Sequence, residues 1–190
     1  MMHREILENT VLALLEAAPG LGSIHINKGL LLIDAYHHSL FLKTLTGINY
    51  VKHDLGPVPE PKAYIVLYEM ELNKDKIEVR QEKRGPVYTQ NAHYAVSMPD
   101  YSILSETSQD IIREIAAMIR HMSASRLSRV THNQVWESTP KGQVIPIESA
   151  YSLQIISRNV RKLTDSERNH AKNILESLYG SQAPVLPAAR

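Results

Sequence analysis

The chain has 190 residues, and its 21 basic and 20 acidic side chains leave a formal net charge of +1. A balance so close to neutral argues against a strongly basic nucleic-acid-binding protein. The absence of cysteine excludes disulfides, thiolate catalysis and cysteine-based zinc sites. Since there is no membrane-length apolar run and no signal-peptide pattern at the start, we expect a cytoplasmic protein that does not bind membranes.

The first part of the chain predicts two helices. Apolar residues recur at helical spacing over residues 4–18, and the Pro-Gly pair that follows ends this helix. Asn27 is predicted to cap a second helix that runs to about Thr44 and is closed by Gly47. This helix is apolar over most of its circumference, so we expect it to be central and buried. Its one carboxylate, Asp34, is predicted to be a structural hydrogen-bond acceptor.

A rigid, proline-rich loop is predicted to follow an extended segment over residues 48–53. The loop begins with a Gly56-Pro57 turn, and two further prolines each restrict the residue before them. A third helix is predicted from Glu60 to about Leu72. Three of its apolar side chains are expected to face inward: Ile65, Tyr68 and Leu72.

A β-hairpin is predicted over about residues 74–96. Residues 76–82 alternate charged and less polar side chains, a Gly-Pro turn follows, and residues 87–96 read as the return strand. Because an isolated hairpin is only marginally stable, we expect the helices to supply a surface for it.

The last third is predicted to be helical again. An apolar stripe extends from Ile111 to Met122, Ser123 begins a short helix to about Val130, and a turn or two of helix is expected over residues 148–156. Thr164 begins a capping box for a final amphipathic helix. We therefore expect one domain over residues 1–180 with a disordered tail over 181–190. Its fold class is mainly α (α+β), a compact helical domain with a small β-hairpin inserted in the middle.

Three kinds of functional site can be weighed from the sequence: a metal site, a ribonuclease site and a nucleic-acid patch. The nine histidines show no ligand spacing, so we predict no metal site and no cofactor. Arg126 and His132 are spaced like the Arg-x(4–6)-His motif of HEPN ribonucleases, although the usual polar residue after the arginine is replaced by Leu127. A basic segment near the C-terminus is a candidate nucleic-acid patch that acidic neighbours dilute. It contains Arg158, Arg161 and Lys162.

Two segments together carry a family resemblance. One matches the pattern Leu-Ser-x-x-Thr-His-x-x-x-Trp, and the other matches a Gly-Pro-Val turn. They follow a segment over residues 26–36 that is similar to Lys-Leu-x-Lys-Leu-Leu-Tyr. In this order they resemble the Panacea (SocA-like) antitoxin domain. The matched residues are Gly56, Pro57, Val58, Leu127, Ser128, Thr131, His132 and Trp136.

The resemblance implies a bacterial or phage antitoxin of a type II toxin–antitoxin system, which would bind a cognate protein toxin encoded by the adjacent gene and would not be an enzyme. A protease adaptor and a DNA-binding regulator remain alternatives, and a ribonuclease is a weaker one. The motif residues could serve either the fold or toxin contact, and we favour the fold. Trp136 is expected to bury its ring and find one partner for its N–H, while Thr131 and His132 could cap the short helix or tie it to the Gly-Pro loop.

Overall fold

A computed structural model of the protein describes residues 3–84 and 86–153, together with Asn169, Asn173 and Glu176. This part of the chain is mainly helical with small antiparallel sheets, which confirms the predicted fold class. None of its helices is long and apolar enough to cross a membrane. Its helices are α1 (Arg4–Ala17), α2 (Ser23–Phe41), α3 (Pro61–Leu72), α4 (Glu106–Ile119), α5 (Ala124–Thr131) and α6 (Gln134–Ser138). Its strands are β1 (Tyr50–His53), β2 (Gly56–Pro59), β3 (Ile77–Lys83), β4 (Thr89–Ala95) and β5 (Val144–Ile145), and 3-10 turns cover Tyr101–Ile103 and Ile147–Ser152.

Helix α2 is the central element, as its nearly continuous apolar surface predicts. Helices α1, α4 and α5, strand β2 and the 3-10 turn at 147–152 all pack against it. The predicted start was wrong, because α2 begins at Ser23 after an extended Gly22. Asn27 lies inside the helix, where its side chain donates a hydrogen bond to the Tyr64 hydroxyl at 3.0 Å. The predicted end was also too late. The helix stops at Phe41 because Leu42 adopts a left-handed conformation with φ 56°.

Helices α1 and α4 form the other main wall of the core and confirm the predicted periodicity. The apolar stripe of α4 is buried against α1 and α2. Ser105 caps α4 by accepting a hydrogen bond from the Ser108 N–H at 3.2 Å. Helix α4 has a polar outer face, so its single apolar stripe identified its buried side correctly, whereas α1 is buried all round from Thr10 to Leu15.

Helix α3 has the predicted range but presents the opposite face to the core. The residues expected to face inward are exposed: Ile65 by 58%, Tyr68 by 59% and Leu72 by 64%. The buried side chains are Ala63, Val66, Leu67 and Met70. Helix α3 is apolar on two sides, so its sequence alone does not decide which side packs against α1 and β3.

The proline-rich segment is a strand rather than the predicted loop. β2 pairs antiparallel with β1, with Tyr50 opposite Pro59 and His53 opposite Gly56, and β5 adds on the far side of β1. The chain turns at residues 54–55, before Gly56. The prolines are accommodated because β2 lies at the edge of this sheet, where a missing N–H costs no hydrogen bond within the ladder.

The predicted β-hairpin is confirmed as β3 and β4, paired from Ile77–Ala95 to Lys83–Thr89. Its open end rests on the helices, as expected, through α1, α2 and α3. His93 is buried there and contacts the Leu21 carbonyl at 2.9 Å and a Glu71 carboxylate oxygen at 3.1 Å. Burial opposes the charge of this imidazole, but the two acceptors together raise the pKa of His93.

Asp34 is fully buried and accepts hydrogen bonds, as predicted for a structural carboxylate. It receives the Thr46 N–H at 2.9 Å, the Thr46 hydroxyl at 2.5 Å and the Tyr50 hydroxyl at 2.8 Å. Burial raises the pKa of Asp34 to about 6, although these hydrogen bonds favour the ionised form. This network ties the middle of α2 to Thr46 and to the start of β1.

Asp34→Asn is expected to lower the free energy of unfolding by about 2 kcal/mol at neutral pH, because an amide offers one acceptor oxygen to three buried donors. Since the pKa of Asp34 is higher in the folded protein, stability is lost as its carboxyl ionises between about pH 4 and about pH 6, and the variant should lack this loss. Urea unfolding measured from about pH 4 to about pH 7 gives both effects. Asp110→Asn, at an exposed position, is the control, and equal pH profiles for all three proteins would contradict the prediction.

The predictions made for the C-terminal part fall largely outside the described residues. They include the amphipathic helix after Thr164, the basic segment and the tail over 181–190. The domain bounds therefore stay predictions. Two elements within the described part were missed. One is the 3-10 turn at Tyr101–Ile103, and the other is the short helix α6, whose Asn133 cap accepts a hydrogen bond from the Trp136 N–H at 2.9 Å.

Candidate functional site

The Gly-Pro segment and the Thr-His-Trp segment are distant in sequence but meet in the fold. Strand β2, which begins with Gly56, packs against α2 and α5, and α6 follows directly on α5. Lysines from α2 and β1 complete the contact. We call this set of residues the motif cluster: Lys28, Lys52, Gly56, Pro57, His132 and Trp136.

Gly56 lies where three parts of the cluster approach most closely. Its φ of +102° is a backbone conformation that side chains with a β-carbon rarely adopt. A methyl group at this position would overlap Nζ of Lys28 and lie 2.8 Å from Nε2 of His132. Glycine is therefore required at position 56 for two reasons: the backbone conformation, and the space already occupied by the two nitrogen atoms.

Lys28 is a buried lysine, with only 1% of its surface exposed. Its ammonium donates a hydrogen bond to the Pro57 carbonyl at 2.8 Å, which joins α2 to β2. No carboxylate forms a salt bridge with it among the described residues. Burial without a counter-charge lowers the pKa of Lys28 to about 7.

His132 and Trp136 form the outer layer of the cluster. Their rings stack with centroids 3.7 Å apart and an angle of 10° between planes. The Lys52 ammonium lies 3.9 Å from the centroid of the Trp136 ring and also donates to the Trp136 carbonyl. This combines a cation–π contact with a hydrogen bond, and together they fix α6 against β1.

His132 connects the end of α5 to the β1–β2 turn, as the sequence suggested for this pair of segments. Its hydrogen bond with the Leu55 backbone favours the charged form, but burial has the larger effect. The nearby ammonium groups of Lys28 and Lys52 act in the same direction as burial, so the pKa of His132 is lowered. We expect a neutral imidazole at neutral pH.

Two buried nitrogens of the cluster have no hydrogen-bond partner within the described part of the chain. They are Nε2 of His132 and Nε1 of Trp136. The expectation that the Trp136 N–H finds a partner is therefore wrong for the residues described. The indole is held instead by stacking and by the Lys52 ammonium, neither of which uses its N–H.

The remaining motif residues lie around this centre. Leu127, Ser128 and Thr131 are buried, and the Thr131 hydroxyl donates to the Leu127 carbonyl at 3.0 Å and the Ser128 carbonyl at 2.9 Å. Thr131 thereby closes the last turn of α5, one of the two roles expected for it. Pro57 is buried and Val58 is half-buried.

The other sequence candidates do not join the cluster. Arg126 is exposed on α5, whereas Nε2 of His132 is buried, so the two do not face a common open site. Arg158, Arg161 and Lys162 lie outside the described residues. Within the residues described, no group of three or more His, Asp or Glu side chains is arranged to hold a metal ion.

Sequence reasoning missed the two lysines as parts of the site. Lys28 stands directly before an apolar run in α2, and a charged residue within a buried helix was the available signal. Lys52 had no such signal, because its role depends on a tryptophan far along the chain.

The comparisons with known proteins agree with these motifs. The family model described as "Antitoxin SocA-like, Panacea domain" matches residues 26–137, from α2 to α6. Searches of curated proteins and of solved structures found no match. The matched range covers more than half of the chain and contains the whole motif cluster, so this protein belongs to the SocA-like antitoxin family with a Panacea domain.

Proposed function

We propose that this protein is the antitoxin of a type II toxin–antitoxin system. It would neutralise a toxin encoded by the adjacent gene, in the cytoplasm, by direct protein–protein binding and without catalysis. The observation that carries the proposal is membership of an antitoxin family over residues 26–137, which implies a protein partner in general. Both sequence signatures of the family resemblance fall within this range.

We assign the motif residues to maintenance of the fold rather than to toxin contact. Leu127, Thr131 and Pro57 are buried, and Gly56 is surrounded by Lys28 and the His132 ring. Buried side chains cannot contact a bound protein unless the domain opens. Their contacts instead join α2, β2 and α5.

The proposed mechanism is steric, with the antitoxin covering the active surface of the toxin. A stable complex of this kind buries on the order of 1,600 Å² in total. Such an area must come from outward-facing residues. The turn of the β3–β4 hairpin exposes Val87 and Tyr88, which are apolar side chains suited to this use.

Bacterial growth tests the proposal. Expression of the adjacent gene alone is expected to arrest growth, and co-expression of this protein is expected to restore it. The two proteins should co-purify. A tagged toxin also distinguishes mechanisms, because steric neutralisation leaves toxin abundance unchanged, whereas delivery to a protease lowers it.

A matched control uses this protein with Gly56→Arg, which should not fold because a large side chain cannot occupy that site. Rescue should be absent with this variant although the gene is still expressed. Arrest that persists with the wild-type protein, or an adjacent gene without toxicity, would contradict the proposed function.

A further inference from the structure

Helix α3 carries an exposed apolar stripe that no described residue covers. Ile65, Tyr68 and Leu72 are each more than half exposed, and Pro61, one turn earlier, is exposed as well. Steps of four, three and four residues place all four side chains on one line along the helix. This is the spacing by which a helix packs against another helix.

Charged and polar residues flank the stripe in a fixed order. Lys62 and Glu69 follow the stripe positions 61 and 68 and share one edge, while Tyr64 and Glu71 precede positions 65 and 72 and share the other. Lys62 has no ion-pair partner among the residues described, and Glu69 pairs only with the exposed Arg4 at 2.6 Å. Each edge therefore carries its carboxylate near the C-terminal end of the helix.

This order makes the face complementary to itself. When two such helices run antiparallel about a two-fold axis, each edge meets the same edge of the other helix. Lys62 of each copy then faces Glu69 of the other. Tyr64 and Glu71, on the second edge, are already hydrogen-bonded within the domain, to Asn27 and His93, and are not needed for the contact. Ile65 packs against Tyr68 across the axis.

We propose that this protein forms a two-fold symmetric dimer through α3, with the two helices antiparallel. The occupant of the stripe is thus a second copy of the chain, and the proposal goes beyond the antitoxin function and does not require it. Two-fold symmetry uses the Lys62–Glu69 pair twice, which is the signature of an isologous contact. A parallel arrangement brings different edges together and loses both pairs.

The contact is expected to be modest in strength. A single helix pair of this length buries on the order of 1,000 Å² in total, the lower limit for a specific interface. We therefore expect a monomer–dimer equilibrium that shifts with protein concentration.

Sedimentation equilibrium of the full chain over a range of concentrations tests the dimer. Lys62→Glu places like charges opposite each other at both ends of the contact, so the dimer should dissociate about tenfold more readily. Lys62→Glu combined with Glu69→Lys recreates both pairs with exchanged signs and should restore association. Arg113→Glu, on the exposed face of α4, makes the same net-charge change and should leave the equilibrium as in the wild type.

Restoration by the double variant requires residues 62 and 69 to face each other across the axis, and it would establish the antiparallel arrangement. Both positions are exposed, so folding should be kept, and circular dichroism checks this for each variant. A wild-type protein that stays monomeric at every concentration would overturn the proposal. So would a dimer that Lys62→Glu does not weaken, or a stripe that the toxin occupies while the free protein is a monomer.

Discussion

Gly56→Ala is expected to lower the free energy of unfolding by about 3 kcal/mol. Two costs add at this position. An alanine must adopt a φ of +102°, and its methyl group must displace Nζ of Lys28 and the imidazole of His132. Because Lys28 is buried and hydrogen-bonded to the Pro57 carbonyl, it cannot move aside into solvent. Urea unfolding of the two proteins measures the difference.

Gly142→Ala separates the two costs. Gly142 also has a positive φ, +81°, but an added methyl group would meet no atom within 4 Å. Only the backbone cost applies there, so we expect a loss of about 1 kcal/mol. Equal losses at both glycines would show that the close approach to Lys28 and His132 is not a determinant of stability.

Lys28 is expected to make the stability of the protein depend on pH. Its pKa is about 7 in the folded protein and 10.5 in an ordinary lysine, so above pH 7 unfolding takes up a proton. Stability should therefore rise with pH, by about 2 kcal/mol between about pH 7 and about pH 9. Well below pH 7 the folded protein carries the full cost of a buried charge.

Lys28→Met is the variant that tests this dependence, since methionine has a similar length and no charge. Urea midpoints measured across the pH range should rise for the wild type and stay nearly flat for Lys28→Met. Lys62→Met, at an exposed position, should retain the wild-type slope. A slope that survives in Lys28→Met would mean that another group titrates, and the assignment to Lys28 would be wrong.

The sequence predicted most of the helices and the hairpin because these elements have local signals. Helix α4 has one apolar stripe and a serine cap, and the β3–β4 hairpin has alternation around a Gly-Pro turn. Each signal lies within the element itself. The buried face and the boundaries then follow from periodicity and from turn chemistry.

Two of the errors arose where distant parts of the chain decide the structure. Helix α3 could bury either side, and its packing against α1 selected Val66 and Met70 over Tyr68 and Leu72. Strand β2 was interpreted as a loop because three prolines argue against a strand. Only its edge position beside β1 makes that strand possible.

The candidate site was predictable in its motif residues but not in its assembly. Gly56, His132 and Trp136 came from the family resemblance, and the matched range of the family contains them. Lys28 and His132 meet at Gly56 because of the way in which α2 and α5 pack against β2. No pattern within one segment carries that information.

The central claim is neutralisation of a toxin by direct binding. It is tested most directly by calorimetric titration of the purified product of the adjacent gene into this protein and into Lys28→Met, at a pH where both are folded. Wild-type protein and Lys28→Met are expected to bind with the same Kd within about twofold, since we propose that the motif cluster supports the fold and that other surfaces make the contact. No binding by the wild type would contradict neutralisation by direct contact. Loss of binding in a fully folded Lys28→Met would instead show that toxin binding depends on the motif cluster, against its assignment to the fold alone.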